Sequence, residues 1–285
     1  MRDMFKRLIT AAPLAMLGAL VWVEQALAAE GRSQPWQIGL QPAYSPVMER
    51  VHEFNNMLLW IQFLIVALVL GILAYIIVRF NEKANPVASK TAHNTLLEIV
   101  WTAIPIIILV IIAIPSIKLL YYADKAQDPE MTIKVVGHQW YWSYIYPDHG
   151  EFEFDSVLIP DDELEEGQPR LLAVDNRVVL PVDTTVQVLI SSDDVIHNWA
   201  VPSLGLKLDA TPGRTNETWV KINEEGTYYG MCSELCGVNH GYMPIQIEAV
   251  SKERFAEWVK EAQEEFAADS RPTVDVAETA GADRR

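Results

Sequence analysis

The chain has 285 residues, half of them hydrophobic, yet carries a formal net charge of −16. Those facts coexist only if apolar and charged residues are segregated, and they are: the long apolar runs precede Tyr122 and most of the acid follows it. This excludes a uniform soluble globule, and the acidity argues against nucleic acid as a partner, leaving a chain held in a lipid bilayer with a polar domain attached.

Residues 1–29 read as a cleaved signal peptide. Arg2, Lys6 and Arg7 form a basic start, Leu8 to Val23 is apolar, and Ala26-Leu27-Ala28 offers small residues at the spacing signal peptidase reads. The apolar run is short for a spanning helix, so cleavage is expected near Ala28 or Ala29. Residues 30–53 then form an extracytoplasmic N-terminal segment.

A transmembrane hairpin is expected over residues 54–130, with helices at 54–80 and 96–122. Phe54 to Val78 and Ile99 to Ile117 carry no charge. The shorter run covers roughly 28 Å as a helix, close to the hydrocarbon thickness. Pro105 and Pro115 are tolerable inside a membrane bundle. The loop between the helices holds Arg79, Lys83 and Lys90 against Glu82, which places it in the cytoplasm. Both outer ends then face outward, in agreement with the signal peptide. In a Gram-negative cell this is an inner-membrane protein whose N-terminus and polar domain lie in the periplasm.

Residues 131–251 change character. Runs rich in β-branched and aromatic residues alternate with turn residues: TIKVVG, QWYWSYIY, RLLAVD, VVLPVD, TTVQVLI, TNETWVKI, GTYYGM and PIQIEAV. Many short strands at close spacing predict a sandwich or barrel. In QWYWSYIY a strand would place Trp140, Trp142, Tyr144 and Tyr146 on one face. Residues 252–285 are expected to form a C-terminal helix, with Phe255, Trp258, Val259 and Phe266 near one stripe, and then a disordered acidic tail from Ser270. There is no nucleotide-binding glycine loop and no internal repeat.

The chemistry concentrates in CSELCGVNHGYM, Cys232 to Met243, which holds both cysteines. In an oxidising compartment a Cys232–Cys236 disulfide is one reading. Against it, His240 and Met243 follow closely, and thiolate, imidazole and thioether together suit copper. His197 stands apart in SSDDVIHNWAVP, at the end of the strand expected over Thr185–Ser191. Structural zinc takes its ligands as two close pairs and gains nothing from a methionine. A blue-copper centre uses one cysteine. Two thiolates, two imidazoles and a thioether suit two coppers sharing the sulfurs.

From about Pro46 to Val250 the chain resembles subunit II of haem–copper cytochrome c oxidases of the α-proteobacterial and mitochondrial type. GHQWYWSYIYPD, VDNRVVLP, HNWAVPSLGLKLDATPGR and GMCSELCGVNHGYMPI carry the resemblance. It implies a two-helix transmembrane hairpin followed by an all-β cupredoxin-like Greek-key barrel that holds the dinuclear copper centre CuA. It implies that Cys232 and Cys236 bridge both coppers, that His197 and Met243 complete one, and that His240 and the backbone carbonyl of Glu234 complete the other. The Glu234 side chain would bind a Mg2+ or Mn2+ ion shared with the haem-bearing subunit I, carboxylate oxygen being suited to such hard ions.

The resemblance also assigns roles around the centre. Trp140 would be the surface contact through which cytochrome c delivers its electron, and Asp155, Asp175 and Asp194 would be docking carboxylates. With Glu153 and Asp193 they form an acidic set that would attract a basic partner. Glu98, at the cytoplasmic start of the second helix, would in isolation read as an interfacial glutamate, as most such residues are; the resemblance matches it to the proton-uptake glutamate of the K channel, which subunit I completes. Lys207, Asp209 and Arg214 would line the contact with subunit I. Two positions depart from the family pattern: Ile145, where an acid is common, and Met231, where glutamine is usual.

The expected function is therefore that of the electron-accepting subunit of a proton-pumping cytochrome c oxidase, one that does not reduce oxygen by itself. A quinol oxidase subunit of the same fold lacks the copper ligands. A membrane-tethered copper-delivery protein is the rival from another class, and it needs only one helix where this chain has two. Nitrous-oxide reductase shares the copper motif but needs a large second domain.

Overall fold

A computed structural model describes residues 29–87, 89–126 and 128–266. The expected signal peptide up to Ala28 and the tail expected from Ser270 lie outside the described residues. After a short strand, β1 (Ala29–Gly31), come two long helices, α1 (Pro46–Arg79) and α2 (Thr95–Asp124). Both are long and apolar enough to cross a membrane.

The start of α1 lies ahead of the apolar run at Phe54, because capping rather than hydropathy sets it. Ser45 Oγ accepts the Met48 N–H at 3.0 Å, and Pro46 sits at the first helical position, where a missing N–H costs nothing. Ser45 Oγ also donates to Leu204 O at 2.7 Å, so the top of the helix is tied to the polar domain. In α2, Asn94 caps the first turn through Leu97 N–H at 3.1 Å, and Pro105 and Pro115 lie within the helix.

The polar domain contains ten strands: β2 (Met131–His138), β3 (Tyr141–Tyr146), β4 (Phe152–Ser156), β5 (Val178–Pro181), β6 (Val186–Ser192), β7 (His197–Val201), β8 (Leu206–Ala210), β9 (Asn216–Val220), β10 (Gly226–Cys232) and β11 (Pro244–Val250). One sheet runs β4-β3-β2-β6-β9. The other runs β5-β11-β10-β7-β8, with β1 added beside β10. Two pairs, β2 with β6 and β5 with β11, are parallel, so the chain crosses between sheets rather than meandering within one. Ile133, Val135, Trp142, Tyr144, Val188 and Ile190 from one sheet meet Trp199, Tyr228, Ile245 and Ile247 from the other in a single core. This is the cupredoxin-like arrangement expected from the sequence.

Three local expectations change. RLLAVD is not a strand: Pro169 O accepts from the N–H groups of Leu172 and Ala173, and the region contributes only a bridge between Leu158 and Val174. Proline there seeds turns in a run whose hydropathy alone reads as β. His197 does not close the strand before it but opens a new one, β7. Trp140 stands in the turn before β3; Trp142, Tyr144 and Tyr146 share the buried face without it.

The last helix, α3 (Lys252–Phe266), buries Phe255, Val259 and Ala262. Trp258 packs edge-on against Tyr146 and Phe152, and Phe266 stacks on Phe154. At the other side β9 is fastened to α2. Trp219 Nε1 donates to Tyr122 O at 2.9 Å, Thr218 Oγ1 donates to Ala123 O at 3.3 Å, and the Tyr122 and Trp219 rings meet edge to face at 5.3 Å. Arg50 of α1 lies over the Tyr122 ring, 3.3 Å from its centroid.

Candidate metal centre

The site forms where β7 and β10 lie side by side and the loop after β10 folds back over them. Met231 pairs with Ala200 and Cys232 with Trp199. Gly230 allows this approach, since a Cβ there would stand 2.0 Å from Ala200 O. The loop from Ser233 to Met243 is closed at its base by Cys232 N–H to Met243 O (3.3 Å) and Ser233 N–H to Asn198 O (3.1 Å). Trp142 Nε1 donates to the same Met243 carbonyl at 3.3 Å.

Every expected donor converges there. Cys232 Sγ lies 3.9 Å from Cys236 Sγ, 4.0 Å from His197 Nδ1 and 3.3 Å from Glu234 O. Cys236 Sγ lies 3.5 Å from both His240 Nδ1 and Met243 Sδ. His197, Cys232, Cys236 and Met243 are buried, while the Glu234 side chain is exposed and leaves only its carbonyl at the centre. The sulfurs stand well beyond the ~2.05 Å of a disulfide, and no disulfide joins them. Two thiols, two imidazoles and a thioether packed at these distances fit soft or borderline metal ions such as copper. Met231, by the alternation of β10, projects from the strand face opposite Cys232.

The charges at the site interlock. Burial opposes ionisation of Cys232, but hydrogen bonds from His197 and the Asn198 backbone bring its thiol down to about 7. Burial and the charge of Cys232 push Cys236 up to about 12. Burial works against protonation of His197, yet Cys232 and Asp194 hold its pKa above the ordinary imidazole value. Burial likewise works against Asp194 ionisation, yet His197 and the Val195 and Gln139 N–H groups hold that carboxyl below the usual range.

Asp194 is thus more than a surface acid. Its Oδ1 meets His197 Nε2 at 2.8 Å and its Oδ2 accepts the Gln139 N–H at 2.7 Å. The Gln139 side chain donates to Cys236 O at 2.7 Å, and Trp140 Nε1 reaches the same oxygen at 3.2 Å. Trp140 therefore bridges the partly exposed surface and a backbone carbonyl of a cysteine at the centre. Gly237, at φ 123°, makes room: a Cβ would stand 2.9 Å from Trp140 Cζ2. Sequence reasoning missed Gln139 and the second role of Asp194; the carboxylate three residues before a histidine was the available signal.

Other expected residues lie elsewhere. Asp155 accepts from Ser143 Oγ at 2.6 Å, and Asp175 accepts the N–H groups of Val157 and Asn176 at 2.7 and 2.6 Å, so both organise local backbone and side chains. Ile145 sits in register between Lys134 and Glu153. Glu98 is in the first turn of α2, at the helix end remote from the β domain, with Thr102 Oγ1 donating to its carbonyl at 2.8 Å. It takes no part in the metal centre.

Two family models match the chain: cytochrome c oxidase subunit II, transmembrane domain, over residues 33–119, and cytochrome c oxidase subunit II, periplasmic domain, over residues 131–250. A Rickettsia bellii protein named "Probable cytochrome c oxidase subunit 2" is 54% identical over 254 residues, covering 89% of this chain and 92% of its own. Cytochrome c oxidase subunit 2 of Zea mays is 48% identical over 233 residues, covering 80% of this chain and 90% of its own. The crystal structure of the periplasmic domain of cytochrome oxidase subunit II from Bradyrhizobium japonicum shows 51% sequence identity, covers 49% of this chain and 98% of that one, and has a TM-score of 0.47.

Proposed function

The chain belongs to the cytochrome c oxidase subunit II family, and from that premise we propose that it is the electron-accepting subunit of a proton-pumping oxidase, taking electrons from a cytochrome c and passing them to the haem-bearing subunit I. Membership makes it a subunit of an oxidoreductase complex, a multi-pass inner-membrane protein with its β domain in the periplasm. The observation that carries the finer reading is the convergence of buried His197, Cys232, Cys236 and Met243 with the half-buried His240 and the Glu234 carbonyl.

A dinuclear copper centre, when bound by those donors, would supply one-electron redox chemistry. The chain's own residues do the rest. The two β strands and the closed loop fix the donors, so little need move when the charge changes. Asp194 orients His197, and Gln139 and Trp140 both anchor on Cys236 O. Trp140 then stands between an incoming cytochrome c and the cysteine backbone. Exposed acids, Asp193 among them, give the face the sign that attracts a basic partner. The exposed Glu234 carboxylate would bind Mg2+ or Mn2+ together with subunit I. Glu98 would take up protons at the cytoplasmic side.

Copper content and electron paramagnetic resonance of the purified protein test the reading. Two coppers per chain with a seven-line mixed-valence spectrum are expected. A four-line, single-copper spectrum would sink it. Isolation of the chain with copper but without a haem-bearing partner would favour copper delivery instead.

A further inference from the structure

Between β1 and α1 runs a segment, Ser33 to Tyr44, without a charged residue. Its amphipathicity is inverted. Gln37 and Gln41 are half-buried, whereas Trp36 is 98% and Ile38 100% exposed, and Leu40 is exposed as well. The segment is nevertheless well organised. Gln37 N–H donates to Gln34 O at 3.1 Å, Gln34 N–H to Gln37 Oε1 at 2.9 Å, and Gln37 Nε2 to Leu40 O at 2.9 Å.

Both ends are pinned to one place on the β domain. Gly31 packs so closely on Ser203 that a Cβ would stand 2.4 Å from its Oγ, and Tyr44 N–H donates to Ser203 O at 3.1 Å. Between the pins the loop descends beside α1. His52 Nε2 lies 2.8 Å from Gln41 O, about 9 Å down the helix from Pro46. That level is just above the charge-free run that begins at Phe54.

Scattered exposed apolar residues need no explanation. Three on one ordered loop, beside the point where a spanning helix leaves the bilayer, do. Trp36 adds a second observation: its backbone lies in the left-handed region, at φ 62°, a strained conformation for a bulky residue. No described residue covers its indole. A fluid lipid surface imposes no shape that would select one strained presentation, but a fitted protein pocket does, and tryptophan is the side chain most enriched at such anchors.

We infer that Trp36, Ile38 and Leu40 form a docking anchor that inserts into an apolar pocket on the extracytoplasmic face of the membrane-embedded, haem-bearing partner subunit. The inference rests on the assembly named in the proposed function, since the pocket belongs to a neighbour of α1 and α2. The anchor lies outside the metal centre and would govern attachment, not electron uptake.

The test is photocrosslinking in native membranes of cells carrying Trp36→p-benzoylphenylalanine, followed by purification of the whole oxidase through this chain. An adduct joining the chain to the haem-bearing subunit is expected. Trp36→Ser and Ile38→Ser should each lower the haem retained per chain after a detergent wash by roughly tenfold. An adduct to lipid alone would assign the loop to the bilayer and overturn the docking, as would the absence of any adduct, whatever the haem ratio. A wild-type chain that brings down no haem subunit overturns the proposed function as well; normal haem retention without an adduct overturns only the anchor.

Discussion

Asp194 and His197, three positions apart, meet through Oδ1 and Nε2 at 2.8 Å, while the other ring nitrogen of His197 faces Cys232 Sγ at 4.0 Å. The carboxylate fixes the tautomer that leaves Nδ1 as the acceptor facing Cys232 Sγ, and it orients the ring. Asp194→Ala should therefore lower copper affinity by about tenfold or more, as losses of such supporting partners commonly do. Competition against a chelator measures this. Unchanged affinity would show that burial alone positions the imidazole.

The neighbouring Asp193 makes the contrast. Its side chain is 72% exposed, and its only ion pair among the described residues is a 3.9 Å approach to His138. Asp193→Asn should raise the KM for a basic cytochrome c and flatten its salt dependence, with the copper spectrum unchanged. If instead the spectrum moved and the KM did not, the two acids would have exchanged roles.

Trp140→Phe keeps an aromatic ring but loses the indole N–H on Cys236 O. Electron uptake from cytochrome c should slow by roughly tenfold or more, with copper content and paramagnetic spectrum preserved. Stopped-flow reduction under single-turnover conditions gives the rate. Loss of the spectrum would make Trp140 a structural support.

Gly237→Ala forces a Cβ toward Trp140 Cζ2 and Gln139 Nε2 at a backbone angle of φ 123°. The strain should cost about 1–3 kcal/mol, read from denaturant unfolding of the purified chain. Because the displaced groups both anchor on Cys236 O, electron uptake should fall with it. A stable variant with normal uptake would show that the contact is dispensable.

In the copper-free chain the two thiols should separate by pH. The Cys232 thiolate forms through about pH 7, whereas Cys236 stays protonated to about 12. Since the thiolate is the nucleophile, iodoacetamide labelling of Cys232 should rise between pH 6 and 8, with Cys236 lagging, as mapped by peptide mass spectrometry. Equal labelling at pH 7 would remove the asymmetry.

The grouping of thiol, imidazole and thioether in Cys232–Met243 was legible in the sequence because it is local, whereas His197 was singled out by its place after the strand expected over Thr185–Ser191 and by the family resemblance. The spanning helices were legible from their lack of charge, but not the start of α1, which Ser45 and Pro46 decide. Asp194 and Gln139 were not legible as supports of the centre, because their contacts arise from β2, β7 and the β10–β11 loop meeting in space. RLLAVD misled because strand propensity is weaker than the turn that Pro169 imposes.

Fastening β9 to α2 and α1 through Trp219, Tyr122 and Arg50 has a consequence for kinetics. Tunnelling rates decay exponentially with separation, so a domain swinging on a slack tether would spend most of its time too far from the acceptor. Held by an indole, a phenol and a guanidinium, the β domain is a fixed post, and under the proposed function the gap an electron would cross is set once, at assembly.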